Sequence, residues 1–356
     1  MADILLKELS NTDIDWLIAT GKQQQLSAGT VLMQARQEPE TIYLLLSGAL
    51  ALGIPHVQNG CVDAQELIQL SRGEIIGETL LLDLPPTATV IKATQDSILL
   101  SIPQPQLNEK LQQDLGFSTH FYRSIALILS ARLRQMLTMP SQLQAASNPL
   151  VKEALLIFGE LRDSDVDWLM MAGKLEKLAP GQFLVQVGRP LEALYIILDG
   201  LLSTGVCEGE INPLTLCFEC AHETANSQKI IDYLSRGEMS GTIDFLEFSP
   251  VVVTVKAVQE SLILSIPRSR LSMKLQQDMG FASRFYRVLA TQLAETWQKA
   301  IGMMGCPQQM YHSPNKMDKG MDEDMEYDDE LNLDTLDRVS QGAARFNWML
   351  KQLGVV

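Results

Sequence analysis

The apolar and polar positions of this chain run through one order of patterns and then run through it again. A short helical start holding Trp16 gives way to brief alternating stretches punctuated by glycine: "TVLMQ", "TIYLLLSGALAL" and "TATVIKATQDSILLSIP". Alternation sends successive side chains to opposite faces of a strand, and many short strands divided by turn residues predict an antiparallel sandwich or jelly roll. A long helix follows, its apolar stripe opened by Phe121, Ile125, Ile128 and Leu129. In the second pass Phe285, Leu289, Leu293, Trp297 and Ile301 recur at steps of four and make a single helix face.

Direct comparison shows that the two passes are copies. "DIDWLIATGKQQQLSAGTVLMQ" returns as "DVDWLMMAGKLEKLAPGQFLVQ", setting Trp16 against Trp168, and "ETIYLLLSGAL" returns as "EALYIILDGLL". Further on, "KATQDSILLSIP" matches "KAVQESLILSIP", and "LQQDLGFSTHFYR" matches "LQQDMGFASRFYR". The offset grows from 152 to 164 between these matches, so the second copy carries an insertion around residues 204–230. The expected organisation is a first domain over 1–140, a breaker-rich linker over 141–152, and a second domain over 153–305. The fold class expected is mainly β with flanking helices: two tandem antiparallel β-rolls, each followed by a long helix, plus a helix in the tail.

Charge changes the picture at the C-terminal end. The formal net charge is −15, and residues 317–337 hold ten acidic groups against one lysine. The segment 306–331 therefore reads as a disordered acidic spacer. Without a basic stripe to offset it, this acidity argues against nucleic acid as a partner. No run of about 18 apolar residues is present to span a membrane, and the first residues lack the basic-then-apolar order of a signal peptide. With an odd number of cysteines, five, the chain does not suggest a disulfide framework. A cytoplasmic protein is expected.

The order of features resembles the cyclic nucleotide-binding domain, the β-roll sensor of catabolite regulators and cyclic-nucleotide-dependent kinases. The features are Gly29 and Gly181 in an early turn, Gly48 and Gly200 after a long strand, "RGE" before a second glycine, and a closing long helix. The endings "FYRSIALILSARLR" and "FYRVLATQLAETW" look like a bacterial branch of that family. The resemblance implies a phosphate-binding cassette, in which a Gly-Glu pair opens a short helix, N–H groups hold the phosphate, and the glutamate takes the ribose hydroxyl. It also implies an arginine in a following "Pro-Arg-(Ser/Thr)-Ala" stretch, which closes on the phosphate.

Both cassettes depart from that pattern. In the first, Gly77 and Glu78 match, but the arginine position falls on Thr87, followed by Ala88, or on Pro86 in a shifted register. Arg36 and Arg72 are the nearby cations that could substitute. In the second, Gly241 is kept while Thr242 and Val251 replace the glutamate and the arginine. Each lost hydrogen bond to a charged group removes roughly 1.5–3 kcal/mol. No cofactor is therefore expected, with a cyclic nucleotide in the first domain as the alternative.

Other candidates are weaker. Cys207, Cys217, Cys220 and His222 could supply four zinc ligands, but one Cys-x2-Cys knuckle is half of the usual pair, and buried free cysteines are common. No Gly-x-Ser-x-Gly, Walker-type loop or His-Glu-x-x-His occurs, so an enzyme is not expected. Over 332–356, Leu336, Val339, Phe346, Leu350 and Leu353 make an apolar stripe with Trp348 beside it. The expected use of the stripe is docking into a protein partner's groove, with Phe346 and Trp348 as its anchors, and packing back onto the chain's own domains is the alternative. The sequence thus predicts a non-enzymatic regulatory adaptor, with a small-ligand sensor acting through the first domain as the alternative. The two copies are expected to pair through their long helices, within one chain or as a homo-oligomer.

Overall fold

The computed structural model describes residues 4–37, 40–58, 61–138, 155–207, 228–247, 249–304 and 333–355. The proposed linker and acidic spacer lie outside these residues. In domain 1, helices α1 (Ile4–Glu8) and α2 (Asn11–Thr20) precede eight strands: β1 (Lys22–Leu26), β2 (Val31–Met33), β3 (Thr41–Ser47), β4 (Leu50–Gln58), β5 (Cys61–Leu70), β6 (Ile75–Ile76), β7 (Val90–Ala93) and β8 (Ser97–Pro103). They form two four-stranded antiparallel sheets, ordered β1-β8-β3-β6 and β2-β7-β4-β5. Helices α3 (Gln104–Gln113) and α4 (Leu115–Leu137) close the domain.

Domain 2 repeats this plan. Helices α5 (Leu155–Glu160) and α6 (Asp163–Ala172) lead into β9 (Lys174–Leu178), β10 (Phe183–Val185), β11 (Ala193–Asp199), β12 (Leu202–Cys207), β13 (Gln228–Leu234) and β14 (Met239–Ser240). A single helical turn, α7 (Thr242–Phe245), precedes β15 (Thr254–Ala257) and β16 (Ser261–Pro267), and helices α8 (Arg268–Gln277) and α9 (Met279–Gly302) follow. Its sheets run β14-β11-β16-β9 and β10-β15-β12-β13, the same orders as in domain 1. The β-roll pair expected from the repeated pattern is present.

The long helices start the same way and bury the same face. Asp114 and Asp278 each accept from the backbone N–H three residues on, Phe117 and Phe281, satisfying donors that a helix start leaves open. Trp16 meets Phe117 at 5.2 Å and Trp168 meets Phe281 at 5.4 Å, tying each N-terminal helix to its domain's long helix. Phe285, Leu289, Leu293, Trp297 and Ile301 are all buried.

The two long helices pack side by side, which realises the intramolecular form of the expected pairing. Near their starts the Ser118 and Ser283 hydroxyls are 2.6 Å apart, and Thr119 donates to the Met279 carbonyl at 3.2 Å. Beyond their starts each helix reaches the other domain. From α4, the Ser130 hydroxyl donates to the Ile243 carbonyl at 2.5 Å and Arg134 pairs with Asp244. From α9, Arg287 bonds Asp83 at 2.9 Å and Gln298 donates to the Pro85 carbonyl at 2.8 Å. One continuous apolar core runs through both domains.

Helix α10 (Leu333–Gln352) belongs to that core. The expected docking of its stripe into a partner's groove is corrected here: the stripe packs against the chain's own domain 2, because α5 offers Phe158 and a bare Gly159 to receive it. Phe346 and Leu350 are buried, together with Met349, which the sequence pattern did not single out, while Val339 and Leu353 are half-buried. Phe346 meets Phe158 of α5 with ring centroids 4.9 Å apart. The helices touch closely because Gly159 has no side chain: a Cβ there would lie 2.5 Å from the Arg338 carbonyl oxygen. Arg345 adds bonds to Asp163 at 2.8 Å and to the Phe158 and Gly159 carbonyls. Those carbonyls end a short helix, where a cation is favourably placed. The side chain of Leu336, like those of helix residues 333–335, lies outside the described residues. Trp348 is left 37% exposed, so it is not an anchor of this contact.

Removing a buried phenylalanine costs about 3–5 kcal/mol. Phe346→Ala should therefore lower the melting temperature by several degrees in thermal denaturation, whereas Trp348→Ala should leave it within a degree or two. Equal effects would mean that the tail is not part of the core.

Candidate functional site

The two cassettes occupy equivalent places in the domains. Gly77 (φ 89°) and Gly241 (φ 93°) both start their turns in the left-handed region, which glycine enters without strain. In domain 1 the turn that follows is a 3-10 helix over Glu78–Leu82, ending at Asp83. The Arg36 N–H donates to the Thr87 carbonyl at 2.9 Å, and the Gly188 N–H donates to the Val251 carbonyl at 2.9 Å. Thr87 thus stands in domain 1 where Val251 stands in domain 2.

The cation of the first cassette is one the sequence pattern did not point to. Arg132, on α4, is 1% exposed. Its Nη1 donates to Glu78 Oε1 at 2.8 Å, its Nε to Glu74 Oε2 at 3.1 Å and its Nη2 to the Ile75 carbonyl at 2.7 Å. Burial alone would push the guanidinium down, but Glu78 and Glu74 outweigh it and hold Arg132 above its ordinary value. The cluster joins one cation to two carboxylates. Glu78, the residue the family pattern reserves for a ribose hydroxyl, is already engaged.

Around this cluster is a cavity of about 430 Å³, counted with its mouth. Gly77, Glu78, Thr79, Pro86, Thr87 and Thr89 line it, with Arg132 and, from the other domain, Trp297. The Thr87 and Thr89 hydroxyls are 2.7 Å apart, one donating to the other. Ala88 does not line the cavity, and neither Arg36 nor Arg72 does among the described residues. Trp297 is 1% exposed, so the indole from α9 is part of the wall that closes this cassette.

The second cassette is built on different contacts. Thr242 is buried where the first copy has Glu78, and Val251 is 2% exposed in the core. Thr296 stands where the repeat would place an arginine like Arg132. The carbonyl of Met239, equivalent to Ile75, accepts instead from Gln292 Nε2 at 2.6 Å. Lys299 lies 3.1 Å from Asp232 and 3.6 Å from Glu238. Asp244 pairs with Arg134 of domain 1. Burial pushes its carboxyl up to about 6, against the pull of Arg134 and of the Val252 N–H.

Of the zinc candidates, Cys217, Cys220 and His222 lie outside the described residues, as does the side chain of Cys207, the last residue of β12. Among the described residues no three His, Cys, Asp or Glu side chains gather as a metal site would need. No helix among them is long and apolar enough to cross a membrane.

A family model described as "Cyclic nucleotide-binding domain" matches residues 23–114 and 175–278, more than half of the chain. Patatin-like phospholipase domain-containing protein 6 of Mus musculus is 22% identical over 279 residues, 77% of this chain and 16% of that protein. This chain therefore spans a small part of that relative's length. Among solved structures, the regulatory subunit of a cAMP-independent protein kinase A from Trypanosoma cruzi is 17% identical, with a TM-score of 0.29, covering 78% of this chain and 81% of that one. The catabolite activator protein of Thermus thermophilus is 20% identical, with a TM-score of 0.32, covering 49% and 76%.

Two outcomes follow from these charges. Arg132→Ala strands two buried carboxylates and should cost about 3–5 kcal/mol in urea denaturation at neutral pH. Asp244 binds its proton more readily folded than unfolded. Its contribution to stability therefore rises as pH falls through about 6, and levels off below its ordinary value of 3.8. Stability profiles of the wild type and of Asp244→Asn should diverge over that window; parallel profiles would remove Asp244 as the titrating group.

Proposed function

We propose that this chain, which belongs to the cyclic nucleotide-binding domain family, is a non-enzymatic regulatory adaptor that works without a cyclic nucleotide. The observation that carries the reading is the buried cluster of Arg132, Glu74 and Glu78. A cyclic phosphate entering domain 1 would meet two carboxylates against one guanidinium, with Thr87 offering no charge. Displacing Glu78 from Arg132 would cost a buried ion pair before any ligand contact formed. In domain 2 neither Thr242 nor Val251 can hold a ribose hydroxyl and a phosphate as the family pattern does.

With that response removed, a fixed surface remains as the working part. The two domains are bolted together by α4 and α9, and the tail helix is clamped against α5. Its outward edge, carrying Trp348, is the face we assign to a protein partner, since an exposed tryptophan is costly to leave in water and effective as a contact. Domain boundaries at about 140, 153 and 305, and a spacer up to 331, complete the proposed organisation.

Calorimetry of the full chain with cAMP and with cGMP tests this. No saturable heat is expected at micromolar protein. Saturable binding that Glu78→Gln abolishes would overturn the reading and restore a sensor acting through domain 1.

A further inference from the structure

Domain 2 contains the larger cavity, about 690 Å³ counted with its mouth. It lies between the strands and α9, beside the Gly241 turn, and α4 of the other domain supplies part of its wall through Leu133 and Leu137. Ile231, Val253 and Val255 make it mainly apolar. Three polar side chains on its lining are incomplete. Ser240 is 2% exposed, Gln292 6% and Asp244 1%, yet Ser240 Oγ, Gln292 Oε1 and Asp244 Oδ2 have no hydrogen-bond partner. The orientation of the Gln292 amide is set, because its Nε2 must be the end that donates to the Met239 carbonyl. Oε1 is therefore an acceptor waiting for a donor. A buried polar atom left this way costs free energy that a ligand's hydrogen bond would recover.

Charge on the lining decides what kind of ligand fits. The cation among the lining residues, Lys299, faces Asp232 and Glu238, and the Tyr233 N–H takes the other oxygen of Asp232 at 2.8 Å. Arg134 holds Asp244 Oδ1, while Asp244 Oδ2 is a further acceptor that a ligand's donor can meet. No cation in the cavity wall is left over for an anion. We propose that domain 2 binds an uncharged, ring-sized apolar molecule bearing one N–H or O–H donor, received by Gln292 Oε1 and Ser240 Oγ. The inference rests on the reading that this cassette is closed to cyclic phosphates.

The probe is indole, an uncharged apolar ring with one N–H, compared with indene, which has the same shape and no donor. Saturation-transfer NMR on the full chain, titrated with each, should show indole binding at least ten-fold tighter. Ser240→Ala should reduce that preference, and Thr296→Phe, which fills the cavity from α9, should abolish binding with circular dichroism unchanged. Equal affinity for the two rings, no indole binding up to its solubility, or binding retained in a folded Thr296→Phe protein would each overturn the inference. If Thr296→Phe fails to fold, the Ser240→Ala comparison decides. Displacement of indole by cAMP would instead overturn the closed-cassette reading, and the indole–indene difference would still report on the donor.

Discussion

Everything in this molecule is arranged around the packing of α4 against α9. Each helix is the last element of its own β-roll and also a wall of the other one. Its stripe has to satisfy two cores at once, which is why so much of both helices is buried. Several polar groups on those buried faces are consequently paired, Ser118 with Ser283, Ser130 with the Ile243 carbonyl, and Arg132 with Glu74 and Glu78, while Gln292 Oε1 is left open to the cavity of domain 2. A hydroxyl or guanidinium in such a place without a partner would destabilise the pairing more than an apolar residue could.

That arrangement explains how the first cassette is closed from two sides. Arg132 reaches Glu78 from the domain's own helix, and Trp297 covers the same cavity from the neighbour's. The second cassette has neither device. It has a glutamine where a carbonyl needs a donor, a paired lysine, and open apolar space. The two copies share a backbone plan and differ inside, one holding a buried ion cluster beside a smaller cavity and the other a larger, mainly apolar cavity.

The repeat, the order of strands and the stripe on each long helix were all legible in the sequence, because they rest on local periods and on direct self-comparison. The departures of both cassettes from the family pattern were visible as well, since glycine, glutamate and arginine hold fixed places along the chain in that motif. Arg132 was not. Its carboxylate partners sit more than fifty residues earlier, and in "SARLRQ" nothing separates a buried guanidinium from the half-exposed Arg134 two positions on. The tail stripe was visible, but its target was not, because Phe158 and the bare Gly159 lie in a short helix without a strong pattern of its own. Trp348 sits beside the stripe by spacing and outside the contact by geometry. Met349, one position further round the helix, takes the buried place.

Joining the two β-rolls in one polypeptide has a further effect. In a pair made from separate identical chains, association weakens on dilution, and every substitution appears on both sides of the axis. Here the halves meet by a first-order step whose equilibrium does not depend on protein concentration. Equivalent positions are also free to differ: Arg132 faces the sequence place of Thr296, Ser130 that of Ala294, and Arg134 that of Gln298. The tether removes the demand for self-complementarity, so a charge that would repel its own image can be answered by a neutral residue instead.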